Sequence, residues 1–303
     1  MPGMSDYTAE NMLAYVTGNR ATPALPSVWC GLYTAMPTSD AGTGGTEVSG
    51  GSYARVQVAG ALTASGSWTT SSTTITLAST APAWLTALGT NGSGVNVYSA
   101  TAGAQIGTIS SVSGTTVTLT TTAAHASSGS ADSVVFSAFP FPSASSGTEP
   151  SVTPASVANG AQVNFATATA SWGTVIGFGL FDASTSGNTL GFDYLGAYSW
   201  LPATMSSASP GVITAHAHGY SASDPVVVTA KYGGTIPTFS QSNLTGVLLV
   251  VSPTTDTFTV TNGGTAVNTS STGDFSVRKI VQQSIPSGVA AYFAASNLTL
   301  YLA

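Results

Sequence analysis

Val28-Trp29-Cys30-Gly31-Leu32-Tyr33-Thr34 reads as a buried strand, because the run is mostly apolar and Pro26 and Pro37 bound it. A Gly-rich loop from Asp40 to Ser52 follows, and Tyr53-Ala54-Arg55-Val56-Gln57-Val58 then alternates as a half-buried strand does. Working outward, similar short runs predict strands at 73–77, 95–98, 106–112, 117–121 and 134–138. The second half adds 174–181, 190–195, 212–216, 226–230, 245–251, 257–261, 275–280 and 298–302. Many short strands separated by turn signals specify a mainly β chain built as a sandwich or barrel. The one convincing helix is 5–16, with Ser5 or Asp6 as cap, Glu10 near its positive end, and Met12, Leu13 and Val16 on one face. Gly18-Asn19 is expected to stop it, and its expected role is to dock on the sheet.

Only 5% of the 303 residues are charged, five basic and eleven acidic. An ordinary soluble domain has about a quarter, and here Ser and Thr supply roughly three residues in ten instead. Hydroxyls lose little rotamer entropy when a partner covers them, whereas each Lys or Arg loses about 1.5–2 kcal/mol. Interface cores are also depleted in charge. The surface is therefore composed to touch protein.

The same numbers exclude several classes. The five cations (Arg20, Arg55, Lys231, Arg278, Lys279) cannot supply the 6–10 or so phosphate contacts of a typical DNA-binding protein, so nucleic acid is not an expected partner. Apolar stretches such as 175–181 and 246–251 fall far short of the roughly 20 residues of a membrane helix, and no membrane insertion is expected. The start of the sequence has no basic and apolar leader pattern, and the lone Cys30 excludes an internal disulfide scaffold. Folding in a reducing cytoplasm is the expectation.

Gly107-Thr-Ile-Ser-Ser-Val-Ser-Gly-Thr-Thr-Val-Thr-Leu-Thr120 parallels Gly246-Val-Leu-Leu-Val-Val-Ser-Pro-Thr-Thr-Asp-Thr-Phe-Thr-Val-Thr261. Each is a strand, a turn and a Thr-alternating return strand. Each sits in a Ser/Thr/Gly-rich block that interrupts a different composition. The expected organisation is a sandwich-like base domain made of 1–62, 138–202 and 281–303, with 63–137 and 203–280 as small β modules inserted into its loops.

Joined together, the flanking pieces resemble a family of small bacteriophage virion proteins labelled tail-fibre or head-fibre proteins. The resemblance rests on Trp29-Cys-Gly-Leu-Tyr-Thr-Ala-Met-Pro-Thr38, on Thr46-Glu-Val-Ser-Gly-Gly-Ser-Tyr-Ala-Arg55, and on Phe165-Ala-Thr-Ala-Thr-Ala-Ser-Trp-Gly-Thr-Val175. Gly177-Phe-Gly-Leu-Phe-Asp-Ala-Ser-Thr-Ser-Gly-Asn188 and Ile285-Pro-Ser-Gly288 complete it, over roughly half the chain. It implies a component of a tailed-phage particle, assembled in the host bacterial cytoplasm. The block with Val212-Ile-Thr-Ala-His-Ala-His-Gly-Tyr220 resembles a small β module found in many phage structural proteins. Within the motifs, Arg55 is expected to pair with Glu47 or Asp182. Trp172 is expected to be a core anchor whose indole N–H finds backbone, with a sugar-stacking platform as the alternative.

No catalytic constellation is legible, so no enzyme and no cofactor are expected. The carboxylates are dispersed, no Gly-x-Ser-x-Gly elbow occurs, and Cys30 lies within an apolar strand. Asp182 and Asp193 read as a turn cap and a loop residue. His216-Ala217-His218 is the one metal candidate, since residues i and i+2 of a strand share a face. Trp68, Trp84, Trp200 and Tyr220 are the candidate contact aromatics.

Three roles fit these features: a tail-fibre or tail-appendage subunit, a capsid decoration or head-fibre protein, and an adhesin that binds a host surface glycan. All three place the chain on a virion among other tail or capsid proteins. With two Lys in the chain, few sheet edges are guarded by charge, which predicts a homo-oligomer, with a trimer favoured.

Overall fold

The computed structural model of the chain describes residues 3–17, 27–39, 41–88, 91–100, 103–124, 132–139, 156–239 and 246–301. Gly18-Asn19, expected to stop the helix, lies outside them. The chain opens with β1 (Gly3–Met4), α1 (Asp6–Val16), β2 (Val28–Ala35), β3 (Thr46–Glu47) and β4 (Val56–Ser67). In β2, Cys30 and Leu32 enter the main core, and the strand pairs antiparallel with both β3 and β4.

β4 continues past residue 62 without a break and becomes the first stave of a barrel. β5 (Thr74–Leu77), α2 (Ala83–Ala87), β6 (Asn96–Ser99), β7 (Ala104–Ser113), β8 (Thr116–Leu119) and β9 (Asp132–Ser137) follow. The ring runs β4-β5-β8-β7-β6-β9, and β9 pairs back onto β4 to close it. Alternation fixes which side faces in: Ile75, Leu77, Val117 and Leu119 are buried while their neighbours face outward or are half-buried. α2 was not among the expected elements; it is too short for a helical period to register.

Next come β10 (Ser156–Ala158), β11 (Val163–Thr167), β12 (Gly173–Val175), β13 (Gly177–Phe181) and β14 (Thr189–Tyr194). β13 inserts between β2 and β14, giving the base sheet β1-β14-β13-β2-β4. Gly179 and Gly31 are cross-strand partners. A Cβ at Gly31 would lie 2.7 Å from Glu47 Oε1 and 2.9 Å from the Tyr53 hydroxyl, so only glycine leaves room for them.

A second barrel is built from β15 (Leu201–Met205), β16 (Ile213–Thr214), β17 (Pro225–Thr235), β18 (Leu248–Val251), β19 (Thr257–Asn262), β20 (Thr265–Ala266) and β21 (Gly273–Lys279). Its ring runs β15-β16-β19-β18-β17-β21 and closes between β21 and β15, with β20 as a side strand on β19. Numbering the staves of each barrel in chain order gives the same circuit, 1-2-5-4-3-6, with every pairing antiparallel. Staves 3, 4 and 5 are successive neighbours and stave 6 returns beside 3, a Greek-key path. The two hairpins alike in sequence, β7–β8 and β18–β19, are staves 4 and 5 of their respective barrels.

β22 (Gln283–Ile285), β23 (Ala290–Phe293) and β24 (Thr299–Tyr301) close the chain. They run antiparallel to β12, β11 and β10, forming a ribbon that is the second layer of the base sandwich. Phe165, Trp172, Val175, Ile285 and Leu298 from the ribbon share one core with Cys30 and Leu32, and that core runs on into the first barrel. The second barrel has a core of its own, centred on Met205, Ile213, Val226, Phe258 and Phe275. A smaller apolar seam of Tyr33, Ile176, Phe181 and Phe192 with Val227 and Ile280 joins it to the base.

Candidate functional site

The Thr46–Arg55 motif builds a clamp on the base sheet. Arg55 Nε donates to Glu47 Oε1 at 2.8 Å and Nη2 to Glu47 Oε2 at 2.7 Å, a bidentate pair. Nη1 donates to the carbonyls of Ala183 and Ser186 at 2.9 and 2.7 Å, and the guanidinium lies 3.3 Å over the Phe181 ring. The expected partner pair resolves to Glu47; Asp182 instead caps its own turn, accepting from the Asn188 N–H at 2.7 Å. Tyr53 donates its hydroxyl proton to Glu47 Oε1 and accepts from the Leu32 N–H. Burial, reinforced by the Glu47 charge, pushes the Tyr53 phenol up, so it remains a donor.

Trp172 donates its indole N–H to the Gly51 carbonyl at 3.0 Å and meets Tyr53 edge-on. It is the core anchor with a backbone partner that the sequence predicts. Burial also pushes the Cys30 thiol far up, as befits an inert core residue.

A second polar cluster lies where the second barrel meets the base. Arg278 of β21 is fully buried and donates to Asp193 Oδ2 and to the Tyr194 carbonyl, each at 3.0 Å. The rings of Tyr198 and Trp200 flank its guanidinium. Burial pushes the Asp193 carboxyl up, while Arg278 and the Tyr194 N–H pull it back. Asp193, read from sequence as a loop residue, lies in β14 and pairs with Arg278, a contact hidden because the two are 85 residues apart.

The structure does not bring His216 and His218 onto one face. The strand before them ends at Thr214, and Ala217 takes a positive φ of 49°, so the i and i+2 side chains do not share a face. His216 is exposed with Nδ1 2.9 Å from Asp256 Oδ1, whereas His218 is buried between Tyr220 and Phe258 and accepts from the Tyr220 N–H. Among the described residues no group of three or more His, Cys, Asp or Glu comes together.

Trp68 is a core residue of the first barrel, 5% exposed, which corrects its reading as a surface ring. Trp84 packs half-buried on the same core, Trp200 sits at the seam, and Tyr220 is half-buried on the second barrel. The exposed large apolar side chains include Met4, Tyr7, Met12 and Leu13 around α1, Tyr292 on β23, and scattered single residues such as Ile236 and Val281. The period of α1 marked its apolar residues as one-sided but could not say which side faces out, and Tyr292 carried no signal because no strand is legible at 290–293. Two adjoining clefts of about 320 and 390 Å³ lie between the 193–198 turn and the ribbon, sharing Leu195, Phe293 and Asn297.

Residues 3–92 and 93–199 match the family described as Podophage GP4 fiber I protein gp80. The match spans more than half of the chain, taking in the base sheet and the first barrel and stopping just before β15. Neither the curated proteins nor the solved structures yielded a match. With the motif clamp, the base sheet and the first barrel all inside the matched span, the chain belongs to the Podophage GP4 fiber I protein gp80 family and is a phage fibre-like structural protein of the virion.

Proposed function

We propose that the chain is a non-enzymatic subunit of a tail fibre or tail appendage, in which the base attaches to the particle and the second barrel is carried outward. The observation behind this reading is where the family match ends: residue 199 lies two positions before Leu201, the first residue of β15, which supports taking the second barrel as an addition to the shared part. We take 63–137 and 203–280 as modules on a base of 1–62, 138–202 and 281–303. Counting copies per purified particle tests the placement. A few to a few tens fits an appendage, and hundreds would mean capsid decoration.

The ribbon supports self-association, with a trimer as the expected stoichiometry. Neither 156–175 nor 281–303 contains a charged residue, and β22, β23 and β24 each pair on one side only. Edges without charge are open to pairing with another chain. Copies that each carry a net charge of −6 meet at least cost through such a neutral face. Sedimentation at low and high ionic strength should show the same oligomer, because screening removes little from an uncharged contact. A monomer at micromolar concentration would sink this part.

A second reading, recognition of a host glycan, draws on the clefts beside the ribbon, where Tyr194, Tyr198 and Asn297 offer ring faces and an amide. Glycan-array binding that is lost on Tyr198→Ala would favour it.

A further inference from the structure

α1 is turned inside out for a surface helix. Such helices ordinarily bury an apolar stripe and show water a polar one. Among the described side chains, those that hold the helix to the body are polar: Thr8 Oγ1 donates to the Leu190 carbonyl at 2.7 Å, the Ser5 hydroxyl bonds the Thr189 carbonyl, and Thr8 and Asn11 are half-buried. The large apolar side chains described on the helix face away. Met12 is 48% and Leu13 65% exposed, with Met4, Tyr7 and Ala9 exposed beside them. A helix of this length is marginal alone, and Tyr7, Met12 and Leu13 gain little burial from its own body. Its outward face is built for a surface that the chain does not supply.

Charge selects the occupant. Asp6 and Glu10 are exposed on the same helix, so a partner with basic residues around an apolar groove is complementary. A second copy is a poorer match, because three of its five cations, Arg55, Arg278 and Lys279, are already engaged by Glu47, Asp193 and Asp224. The helix also sits on β14 at the edge of the base sheet remote from the first barrel, so contact there leaves both faces of that barrel free.

We propose that the outward face of α1, centred on Met12 and Leu13, docks into an apolar groove rimmed by Lys or Arg on another protein of the particle. This rests on the reading of the chain as a virion subunit and names the surface that attaches it.

The test supplies the chain from a plasmid to a phage whose own copy of the gene is disabled, and measures its amount in purified particles by quantitative mass spectrometry. Met12→Glu/Leu13→Glu should melt and sediment as the parent does, yet its incorporation should fall by about tenfold or more, since two charges must then be buried in the groove. Met12→Ser/Leu13→Ser, milder toward folding, should fall in the same direction. Asp6→Asn/Glu10→Gln should be incorporated partially, and Val251→Glu, exposed on the second barrel away from the helix and the ribbon, should be incorporated fully. Parent-level incorporation of both Met12/Leu13 variants would overturn the proposal. So would a shift in oligomer size on changing the helix face, which would identify a second copy as the occupant. Absence of the parent chain itself from particles would instead overturn the virion reading beneath it.

Discussion

Arg278 Nη1 lies 3.0 Å from Asp193 Oδ2, and this one contact ties the last strand of the second barrel to β14 of the base. The two ends of the pair are unequal. Arg278 is wholly buried, whereas the Asp193 side chain keeps 19% exposure and also accepts from the Tyr194 N–H. Asp193→Ala leaves a buried cation without its counter-charge, which costs about 3–5 kcal/mol. Arg278→Met leaves a carboxylate that water and the Tyr194 N–H can still serve, and should cost about half as much. Urea denaturation of both variants checks the order; equal losses would mean that the seam is held by its apolar contacts alone.

The clamp at Arg55 should be intolerant of lysine. Arg55→Lys keeps the charge but cannot span both Glu47 oxygens and the carbonyls of Ala183 and Ser186 together. A loss of about 2–4 kcal/mol is expected, read as a lowered denaturation midpoint at unchanged slope. Glu47→Gln should lose less, because an amide still accepts from Tyr53 and Arg55.

Gly50 and Gly51 separate conformational strain from collision. Both have positive φ, 73° and 55°. A Cβ at Gly50 meets nothing, so Gly50→Ala should cost only the left-handed penalty of about 1–2 kcal/mol. At Gly51 the Cβ would lie 2.8 Å from the Ala170 carbonyl and 3.0 Å from Trp172 Nε1, within the contact that holds the indole. Gly51→Ala should therefore be clearly worse and should shift Trp fluorescence; matched melting curves would show the loop to be free to move.

Much of this was legible from residues near each other in sequence. The β2 run, the α1 span, the Arg55–Glu47 pair and the Trp172 anchor follow from local pattern and from motif chemistry. β10, β11, β15, β22 and β23 were not foreseen: Leu201–Met205 carries a Pro, and the other four are three to five residues long, too short for a two-residue period to register. The strand face expected to be shared by His216 and His218 is absent because a turn residue at positive φ breaks the two-residue period between them. The outward aim of α1 was also hidden, since a helical wheel gives a stripe but not the direction in which the body lies.

Acid should weaken the second barrel. Partial burial acts to raise the Asp224 carboxyl, yet hydrogen bonds from Lys279 and the Ser221 N–H, with the Lys279 charge, hold it below the ordinary value. The Ala217 N–H, helped by His216, holds Asp256 down as well. A carboxyl depressed in the folded state contributes stability that is complete above the unfolded pKa of about 3.9 and is lost as pH falls through the lower folded value. Melting temperature should therefore drop below about pH 4, and Asp224→Asn/Asp256→Asn should start lower at neutral pH and fall less steeply. Parallel acid limbs would assign the loss to other carboxylates.

The two barrels share a circuit but should respond oppositely to deletion. The second has a separate core, and its first and last staves are adjacent, with Leu201 opposite Val277 and Pro202 opposite Ser276. Joining 202 to 281 through a short Gly-Ser splice removes both members of each stave pair from 203 onward and closes a small gap. The Arg278 partner leaves with it, and Asp193 becomes free to hydrate. The base should then unfold cooperatively at a somewhat lower temperature, because Phe192 and Ile176 of the seam lose their cover. The first barrel allows no such cut. β4 belongs at once to the base sheet and to the ring, and Val58, Leu62 and Phe136 lie in the same core as Cys30 and Trp172. Deleting 63–137 should give insoluble or non-cooperative protein. Calorimetry of the two deletions decides the matter: if removing 203–280 also abolishes the transition, the seam is part of the base core, and the second barrel is no separable module.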